Sequence, residues 1–345
     1  MRIFCGSKGN GGRLTAAEKR NIMNENQQKA EIVMKLSLVV PCYNEAENVA
    51  AFRDAVLNAF EGCGYDYEII FVDDGSRDAT LHNLRKLYAE NKCPTKVISL
   101  SRNFGKEAAI LAGMKAAKGE YVSLIDADLQ QRPEVAAEMV SILEQQPEYD
   151  MVAAYQDRRQ EGKVLSFFKK SFYAVINRLS NVKLHADASD FRTFRRSVCD
   201  SVLALGEYHR FSKGIFAWVG YNTCYVPYTA CPRHAGKTKW NFFKLLNYAV
   251  EGIIGYSTAP LRLATCLGAF GAVAAVIYLA VVILQKLLVG IDVPGYASMI
   301  ALILIFGSLQ LFCIGIIGEY VGRTFEQSKD RPVYITKETL GCEEE

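Results

Sequence analysis

The residues best suited to chemistry are acidic side chains that directly follow an apolar segment. Asp126 and Asp128 come after the apolar run 121–125, and Gln130 stands two residues further on. Because side chains alternate in an extended chain, the two carboxylates would point the same way, and Gln130 would join them if the extension persists. Carboxylate and amide oxygens are hard ligands suited to Mg²⁺ or Mn²⁺, which leaves positions open for phosphate oxygens. The spacing predicts a divalent-metal site that also binds a phosphorylated substrate.

Two earlier polar groups also follow apolar runs. Asp73 follows the run 68–72 and opens the sequence DDGS, which is typical of a turn that caps the next helix. Alternatively, Asp73 accepts a hydrogen bond from a nucleotide base or ribose. The sequence PCYNE, from Pro41 to Glu45, holds the equivalent place after the first run, and its Tyr43 could stack on a base. The residues alone leave both interpretations open.

The elements that must position these groups alternate along the chain. Strand-like runs and helical periodicities follow one another, which predicts a mostly parallel sheet with helices on both faces. In such sheets ligands bind beyond the carboxyl ends of the strands, where every acidic group named above is expected. The predicted strands are 36–41, 68–72, 96–100 and 121–125, and the predicted helices are 45–60, 106–117 and one carrying Leu81, Leu84, Leu87 and Tyr88.

Composition excludes several classes of protein. Hydrophobic residues make up 50% and charged residues 22% of the chain, which argues against disorder over most of its length. A formal net charge of +3 is too small to indicate nucleic acid as a partner. The ten cysteines include no CxxC pair, so we expect reduced thiols in a cytoplasmic body.

Two long segments predict a membrane anchor. No charged residue lies in 263–284 or in 293–318, and about 20 apolar residues cross the ~30 Å hydrocarbon core. Lysines and arginines precede the first span and follow the second span. By the positive-inside rule, this predicts that the body and the tail lie in the cytoplasm. The amphipathic stretches 164–179 and 240–256 could be core-facing helices or lie in the membrane interface, and the interface is favoured for the second.

A series of motifs now identifies a family. In chain order they are VVPCYNE, VDDGS, SRNFGKEAA, GEYVSLIDADLQ, DFRTFRR, RHAGKTKW and, after the second span, GEYVGR. Together they resemble the GT-A-fold, inverting nucleotide-sugar transferases. Within these the chain is similar to the polyprenyl-phosphate glycosyltransferases, which include bactoprenol glucosyltransferases and dolichol-phosphate mannose synthases. The resemblance covers about 35–334.

The resemblance implies a role for each matching residue. Asp126, Asp128 and Gln130 would hold Mg²⁺ or Mn²⁺ on the diphosphate of the donor. Asp190 is the candidate catalytic carboxylate, assisted by Asp128 and by Arg192. The nucleotide and phosphates would be bound by Pro41, Tyr43, Glu45, Asp73, Asp126, Arg192, Arg233 and Lys239.

The implied architecture is an α/β, Rossmann-like GT-A domain followed by a two-helix transmembrane hairpin. The expected parts are a disordered polar extension (1–34), the catalytic domain (35–239), an interfacial helix (240–258), two spans within 259–322 (about 263–284 and 298–318) and a cytoplasmic tail (323–345). The protein would lie in the inner (plasma) membrane with its catalytic domain and both termini in the cytoplasm. The family also implies a homo-oligomer, as a tetramer.

The implied activity is transfer of a hexose, with UDP-glucose as the first choice of donor, to undecaprenyl phosphate for modification of cell-envelope glycans. A GDP-mannose-dependent mannosyltransferase is an alternative. A processive polysaccharide synthase is another, although the chain has no QxxRW motif and two spans make a poor channel. A catalytically inactive sugar-nucleotide sensor or membrane scaffold is the third.

Asp190 need not act as a general base. The implied acceptor is a phosphate monoester, which is mostly dianionic at pH 7 and can attack without losing a proton. We therefore expect Asp190 to orient cations or the sugar at least as much as it accepts a proton. An ion pair with Arg192 at the surface is the simpler alternative. Arg210 and Lys213 could line the acceptor entrance or be solvated surface residues.

Overall fold

The computed structural model describes residues 34–157, 177–178, 188–231, 252–289 and 295–342. Most of the predicted N-terminal extension and most of both amphipathic stretches lie outside these ranges. The same holds for two predicted phosphate ligands, Arg233 and Lys239. Their roles therefore stay predictions.

Strands and helices alternate in the first half of the chain, as predicted. The strands are Leu36–Cys42 (β1), Tyr67–Asp73 (β2), Thr95–Leu100 (β3), Tyr121–Leu124 (β4), Met151–Gln156 (β5), Ala188–Arg195 (β6), Thr223–Tyr228 (β7) and Thr336–Leu340 (β8). The helices are Val49–Ala59 (α1), Thr80–Glu90 (α2), Lys106–Ala116 (α3), Pro133–Gln145 (α4), Arg196–Leu203 (α5), Ser212–Trp218 (α6), Ala259–Val289 (α7) and Tyr296–Ser328 (α8).

The strands form one sheet in the order β7-β5-β6-β4-β1-β2-β3-β8. Strand β1 pairs in parallel with β2 on one side and β4 on the other. The chain order therefore changes direction at β1, and the crevice beyond the carboxyl ends of β1 and β4 is a topological switch point. The predicted parallel pairing holds from β1 to β4, whereas β6 and β8 run antiparallel to their neighbours.

Helices cover both faces of the sheet because successive side chains of each strand point to opposite faces. Leu38 and Val40 of β1 belong to one buried cluster, which includes Phe52 of α1. Val39 belongs to the cluster on the other face, under α3. A Cβ at Gly113 of α3 would overlap the Val39 side chain, so this glycine lets α3 lie close against β1.

The two apolar helices α7 and α8 are long and apolar enough to cross a membrane. Both are longer than the predicted spans, and α8 continues through polar residues to Ser328. Beyond α8 the tail returns to the catalytic domain, where β8 pairs antiparallel with β3. Arg85 of α2 binds Glu338 of β8, with 2.5 Å between Nη2 and Oε2. We had not predicted this strand.

Candidate active site

The loops after β1 and β2 form one hydrogen-bonded unit. The Asn44 amide donates to Ser76 Oγ at 2.9 Å, and the Arg77 amide donates to Asn44 Oδ1 at 2.9 Å. The Glu45 amide donates to Thr80 Oγ1 at 2.8 Å. Asn44 has a φ of 53°, which asparagine tolerates better than most residues. Tyr43 and Glu45 are half-buried on this unit, so the predicted nucleotide-binding residues of both loops are brought together.

Asp73 is almost completely buried within this unit, with 1% of its surface exposed. Its Oδ1 accepts a hydrogen bond from the Ser76 amide at 3.2 Å, and its Oδ2 accepts one from Ser99 Oγ at 3.1 Å. The Ser76 contact is the turn that the DDGS sequence predicts. Contact between Asp73 and a nucleotide stays a prediction.

Asp74 fixes the loop that leads into α3. Its carboxylate accepts hydrogen bonds from the Phe104 amide at 2.7 Å and from the Gly105 amide at 2.9 Å. Burial raises the pKa of Asp74, and the two amide donors partly offset that rise. Gly75 has a φ of 61°, and a Cβ there would overlap the backbone of Arg102. Both features set the position at which α3 begins, at Lys106.

Lys106 joins the two carboxylates that the motifs singled out. Its Nζ lies 2.7 Å from Asp126 Oδ1 and 3.2 Å from Asp190 Oδ2. All three side chains are partly exposed, at 42%, 33% and 29%. Asp126, the predicted metal ligand just after β4, and Asp190, the candidate catalytic aspartate of β6, therefore share one ammonium group.

The charge around Asp190 keeps it ionised. Burial by itself would raise the pKa of Asp190, but the positive charges of Lys106, Lys213 and Arg192 outweigh this effect and hold the pKa well below its usual range. A carboxylate with a lowered pKa is a weak proton acceptor. The electrostatics thus favour an orienting role.

The segment after β4 turns instead of staying extended. Leu129 has a φ of 59°, and the Gln130 amide donates to Asp128 Oδ1 at 3.2 Å. The extension that would have aligned Gln130 with the aspartates therefore ends before it. The buried Gln131 contacts Asp126 instead, since its Oε1 accepts from the Asp126 amide at 2.9 Å and its Nε2 donates to Asp126 Oδ2 at 3.2 Å.

Arg192 is buried on β6, with 4% of its surface exposed. Its guanidinium donates to the Ser189 carbonyl at 3.1 Å and to the Asp190 carbonyl at 3.4 Å. The same group lies 4.4 Å from the centre of the Phe216 ring, a cation–π contact. These contacts support the backbone on which Asp190 stands. Phosphate binding by Arg192 stays a prediction.

A second set of contacts joins this site to the end of the hairpin. Glu107, next to Lys106, accepts hydrogen bonds from the Ser212 amide at 3.0 and 3.1 Å and also from its hydroxyl. In the loop before Ser212, the Tyr208 amide donates to Gln327 Oε1 of α8 at 2.8 Å. Arg210 donates to the Val202 and Leu205 carbonyls, so it closes the end of α5. The catalytic domain is therefore held at the polar end of α8.

The donor set fits a hard divalent ion. Asp126 Oδ1 already lies against one cation, and Asp126 and Asp128 are half-buried carboxylates just before the positive-φ residue Leu129. Within the described ranges, no group of three or more His, Cys, Asp or Glu residues could hold a metal. Two protein carboxylates with water and substrate phosphates would complete a shell typical of Mg²⁺ or Mn²⁺.

Comparison with known proteins identifies the family. Residues 37–203 match the family described as glycosyl transferase family 2, and residues 259–324 match the GtrB C-terminal hairpin. An uncharacterized glycosyltransferase of Synechocystis is 42% identical over 90% of this chain and 98% of its own length. The chain belongs to glycosyltransferase family 2.

Other relatives of this glycosyltransferase carry more specific names. The prophage bactoprenol glucosyl transferase homolog of Escherichia coli is 40% identical over 88% of this chain and 99% of its own. The putative glycosyltransferase CsbB of Bacillus subtilis is 40% identical over 88% and 91%. Among solved structures, mannosyl-3-phosphoglycerate synthase of Rubrobacter xylanophilus is 19% identical, with a TM-score of 0.43, over 65% of this chain and 73% of its own. The predicted family and the GT-A-type domain followed by two apolar helices are confirmed.

Two site residues of this glycosyltransferase were missed by sequence reasoning. Lys106 stands 20 positions before Asp126 in a different element, and only its place in the SRNFGKEAA motif could have drawn attention to it. Gln131 was passed over because we assumed that the chain stays extended as far as Gln130.

Proposed function

We propose that the enzyme transfers glucose from UDP-glucose to undecaprenyl phosphate, with inversion at the anomeric carbon, at the cytoplasmic face of the membrane. One observation carries the proposal: Asp126 and Asp190 meet at Lys106, beyond the switch point of the sheet, in a chain whose catalytic domain is bound to the end of an apolar hairpin. Relatives named bactoprenol glucosyl transferase, at 40% identity over most of the chain, support this acceptor and this sugar.

The donor would lie across the carboxyl ends of β1, β2 and β4. The loops after β1 and β2 would hold the base and ribose. Tyr43 and Glu45, which are half-buried there, would contact them. Asp126 and Asp128, with Gln130 nearby, would hold Mg²⁺ or Mn²⁺. When bound, such an ion offsets the negative charge that develops on the leaving nucleotide diphosphate.

The acceptor phosphate would attack the anomeric carbon from the face opposite the diphosphate. The new bond joins that carbon to a phosphate oxygen, and the bond to the diphosphate breaks, so the configuration inverts. Since the phosphate is mostly dianionic at pH 7, no residue has to remove a proton from it. Asp190 would orient Lys106 and Lys213, whose positive charges lower its pKa. Arg192, Arg233 and Lys239 are the proposed phosphate ligands.

The hairpin would hold this site at the level of lipid headgroups. Gln327 of α8 contacts both the Tyr208 amide and the Gly206 carbonyl at 2.8 Å, and His209 Nε2 lies 2.5 Å from Glu326 Oε2. Tyr320 of α8 also donates to the Ser257 carbonyl at 2.6 Å, beside the start of α7. These contacts join the catalytic domain to the polar end of the hairpin, which supports a position beside one face of the membrane. The cytoplasmic face is proposed from the lysines and arginines that flank the two spans.

The test is a donor panel with the full chain in detergent or vesicles. UDP-glucose, UDP-galactose, UDP-N-acetylglucosamine and GDP-mannose are each incubated with undecaprenyl phosphate and Mn²⁺ or Mg²⁺, and the lipid product is weighed by mass spectrometry. We expect a hexosyl phospholipid from UDP-glucose. A product from GDP-mannose alone would replace the proposed sugar, and donor hydrolysis that ignores the lipid would contradict the proposed acceptor.

A further inference from the structure

Lys106 has only one part in the proposed reaction so far, as a cation that Asp190 orients. It is the first residue of α3, and its ammonium group lies between a proposed metal ligand, Asp126, and the candidate catalytic carboxylate, Asp190. Two carboxylates that approach one point repel each other unless a cation lies between them. Lys106 provides that cation.

The surroundings of Lys106 are built to hold it there. The Asp74 carboxylate binds the Phe104 and Gly105 amides, immediately before Lys106. Glu107, immediately after it, binds the Ser212 amide and hydroxyl. The backbone of Lys106 is therefore fixed from both sides, while 42% of its side chain stays exposed. From this position the ammonium group could release Asp126 and keep its contact with Asp190.

We propose that Lys106 is a positioning residue that neutralises Asp126 until a divalent ion binds there, and that holds Asp190 in place before and after that exchange. This role rests on the proposed metal-dependent sugar transfer, in which Lys106 would control access of the ion to Asp126. The Lys106 ammonium group lies 2.7 Å from Asp126 Oδ1. A divalent ion bound to the same carboxylate would repel this ammonium group, so each cation weakens the binding of the other.

The proposal predicts two effects of opposite sign. Lys106→Met removes the competing charge, so donor-free enzyme should bind Mn²⁺ about two- to fivefold more tightly, the range expected for a partly exposed ion pair. Transfer at saturating Mn²⁺ should fall by about two- to tenfold, because the Asp190 carboxylate loses the ammonium group that holds it in place. A residue that only maintained the fold would weaken both metal binding and transfer.

The experiment measures Mn²⁺ binding to the full chain by calorimetry without nucleotide sugar, and then transfer at saturating Mn²⁺. Lys106→Arg keeps the charge, so its Mn²⁺ affinity should stay near that of the wild type. Lys115→Met is the matched control on the same helix, where Lys115 lies 5.5 Å from the Tyr334 ring centre and away from the carboxylates. It should change neither measurement. Lys106→Gln repeats the test if the methionine variant does not fold.

The outcomes separate this inference from the proposed function. Tighter Mn²⁺ binding with slower transfer in Lys106→Met supports it. Equal or weaker Mn²⁺ binding in Lys106→Met and Lys106→Gln, beside a wild type that binds Mn²⁺ and transfers sugar, overturns the role of Lys106 and leaves the proposed function intact. A wild type that transfers sugar without binding Mn²⁺ overturns both the metal site and the inference.

Discussion

The two sides of the active-site crevice are held together by different forces. Beyond β1 and β2, neutral hydrogen bonds join the loops, such as that from the Asn44 amide to Ser76. Beyond β4 and β6, the described contacts are dominated by the charges of Lys106, Asp126 and Asp190. Hydrogen bonds within a loop unit fix a shape, whereas an exposed ion pair is weak and exchangeable. In the proposed reaction, the first side would receive the nucleotide on a preformed surface, and the second would exchange its ion pairs for an incoming cation and anion.

The largest expected effect comes from removing the divalent ion. EDTA should lower transfer by about 100-fold or more, since the departing diphosphate would lose its main source of charge stabilisation. Added Mn²⁺ or Mg²⁺ should restore the rate, and product formation is followed by radiolabelled sugar in the lipid phase. Unchanged transfer in EDTA would mean that the charged side of the crevice works without a metal.

A smaller effect is expected where the two sides meet, at Asp74. Asp74→Ala leaves the Phe104 and Gly105 amides without their acceptor, which should cost about 1–3 kcal/mol of unfolding free energy. Because the same loop leads to Lys106, transfer should also fall by several-fold. Urea unfolding and transfer assays measure the two effects. Asp54→Ala, at an exposed position on α1, is a control expected to change transfer little.

Asp190→Asn tests whether sugar transfer needs the negative charge of Asp190. The amide keeps the shape but removes the charge that attracts Lys106 and Lys213. We expect turnover within about tenfold of the wild type and a changed preference among donor sugars, because the acceptor phosphate is already ionised. Abolished turnover with normal binding of both substrates would indicate an obligatory proton acceptor instead.

The smallest effect concerns the tail. Glu338→Ala removes an ion pair with Arg85 that is largely exposed to solvent. Such pairs contribute little, so neither the melting temperature nor the transfer rate should change measurably. Deleting residues 336–340 is the sharper variant, since it also removes the backbone pairing of β8 with β3. A large loss of transfer rate or melting temperature in Glu338→Ala would contradict this and would show that the tail supports the β1 and β2 side of the crevice.

Sequence reasoning worked best where burial sets the pattern. Strand β1 was predicted at 36–41 and found at Leu36–Cys42, because a short apolar run between turns has few alternatives. The same logic placed Asp73 and Asp126 at the carboxyl ends of β2 and β4, which lie on either side of β1. It failed for β8, whose sequence TKETL is polar and only becomes a strand through pairing with the edge of the sheet.

The candidate site was predictable in part for a related reason. Motifs report residues that are close in sequence, and they gave Asp126 and Asp128 directly. The contact of Lys106 with Asp126 and Asp190 depends instead on how α3 is placed on the sheet. The exchange of Gln130 for Gln131 beside Asp126 depends on one positive φ angle, at Leu129. Neither could be read from local patterns.

Asp126 and Asp128 are proposed to hold a divalent ion at the switch point of the sheet. The most direct test is Mn²⁺ binding and sugar transfer to undecaprenyl phosphate by the variant that carries Asp126→Ala and Asp128→Ala, beside the wild type. The variant is predicted to bind no Mn²⁺ at concentrations that saturate the wild type and to form no lipid-linked sugar above background. If the variant binds Mn²⁺ and transfers sugar at wild-type levels, Asp126 and Asp128 do not hold the ion.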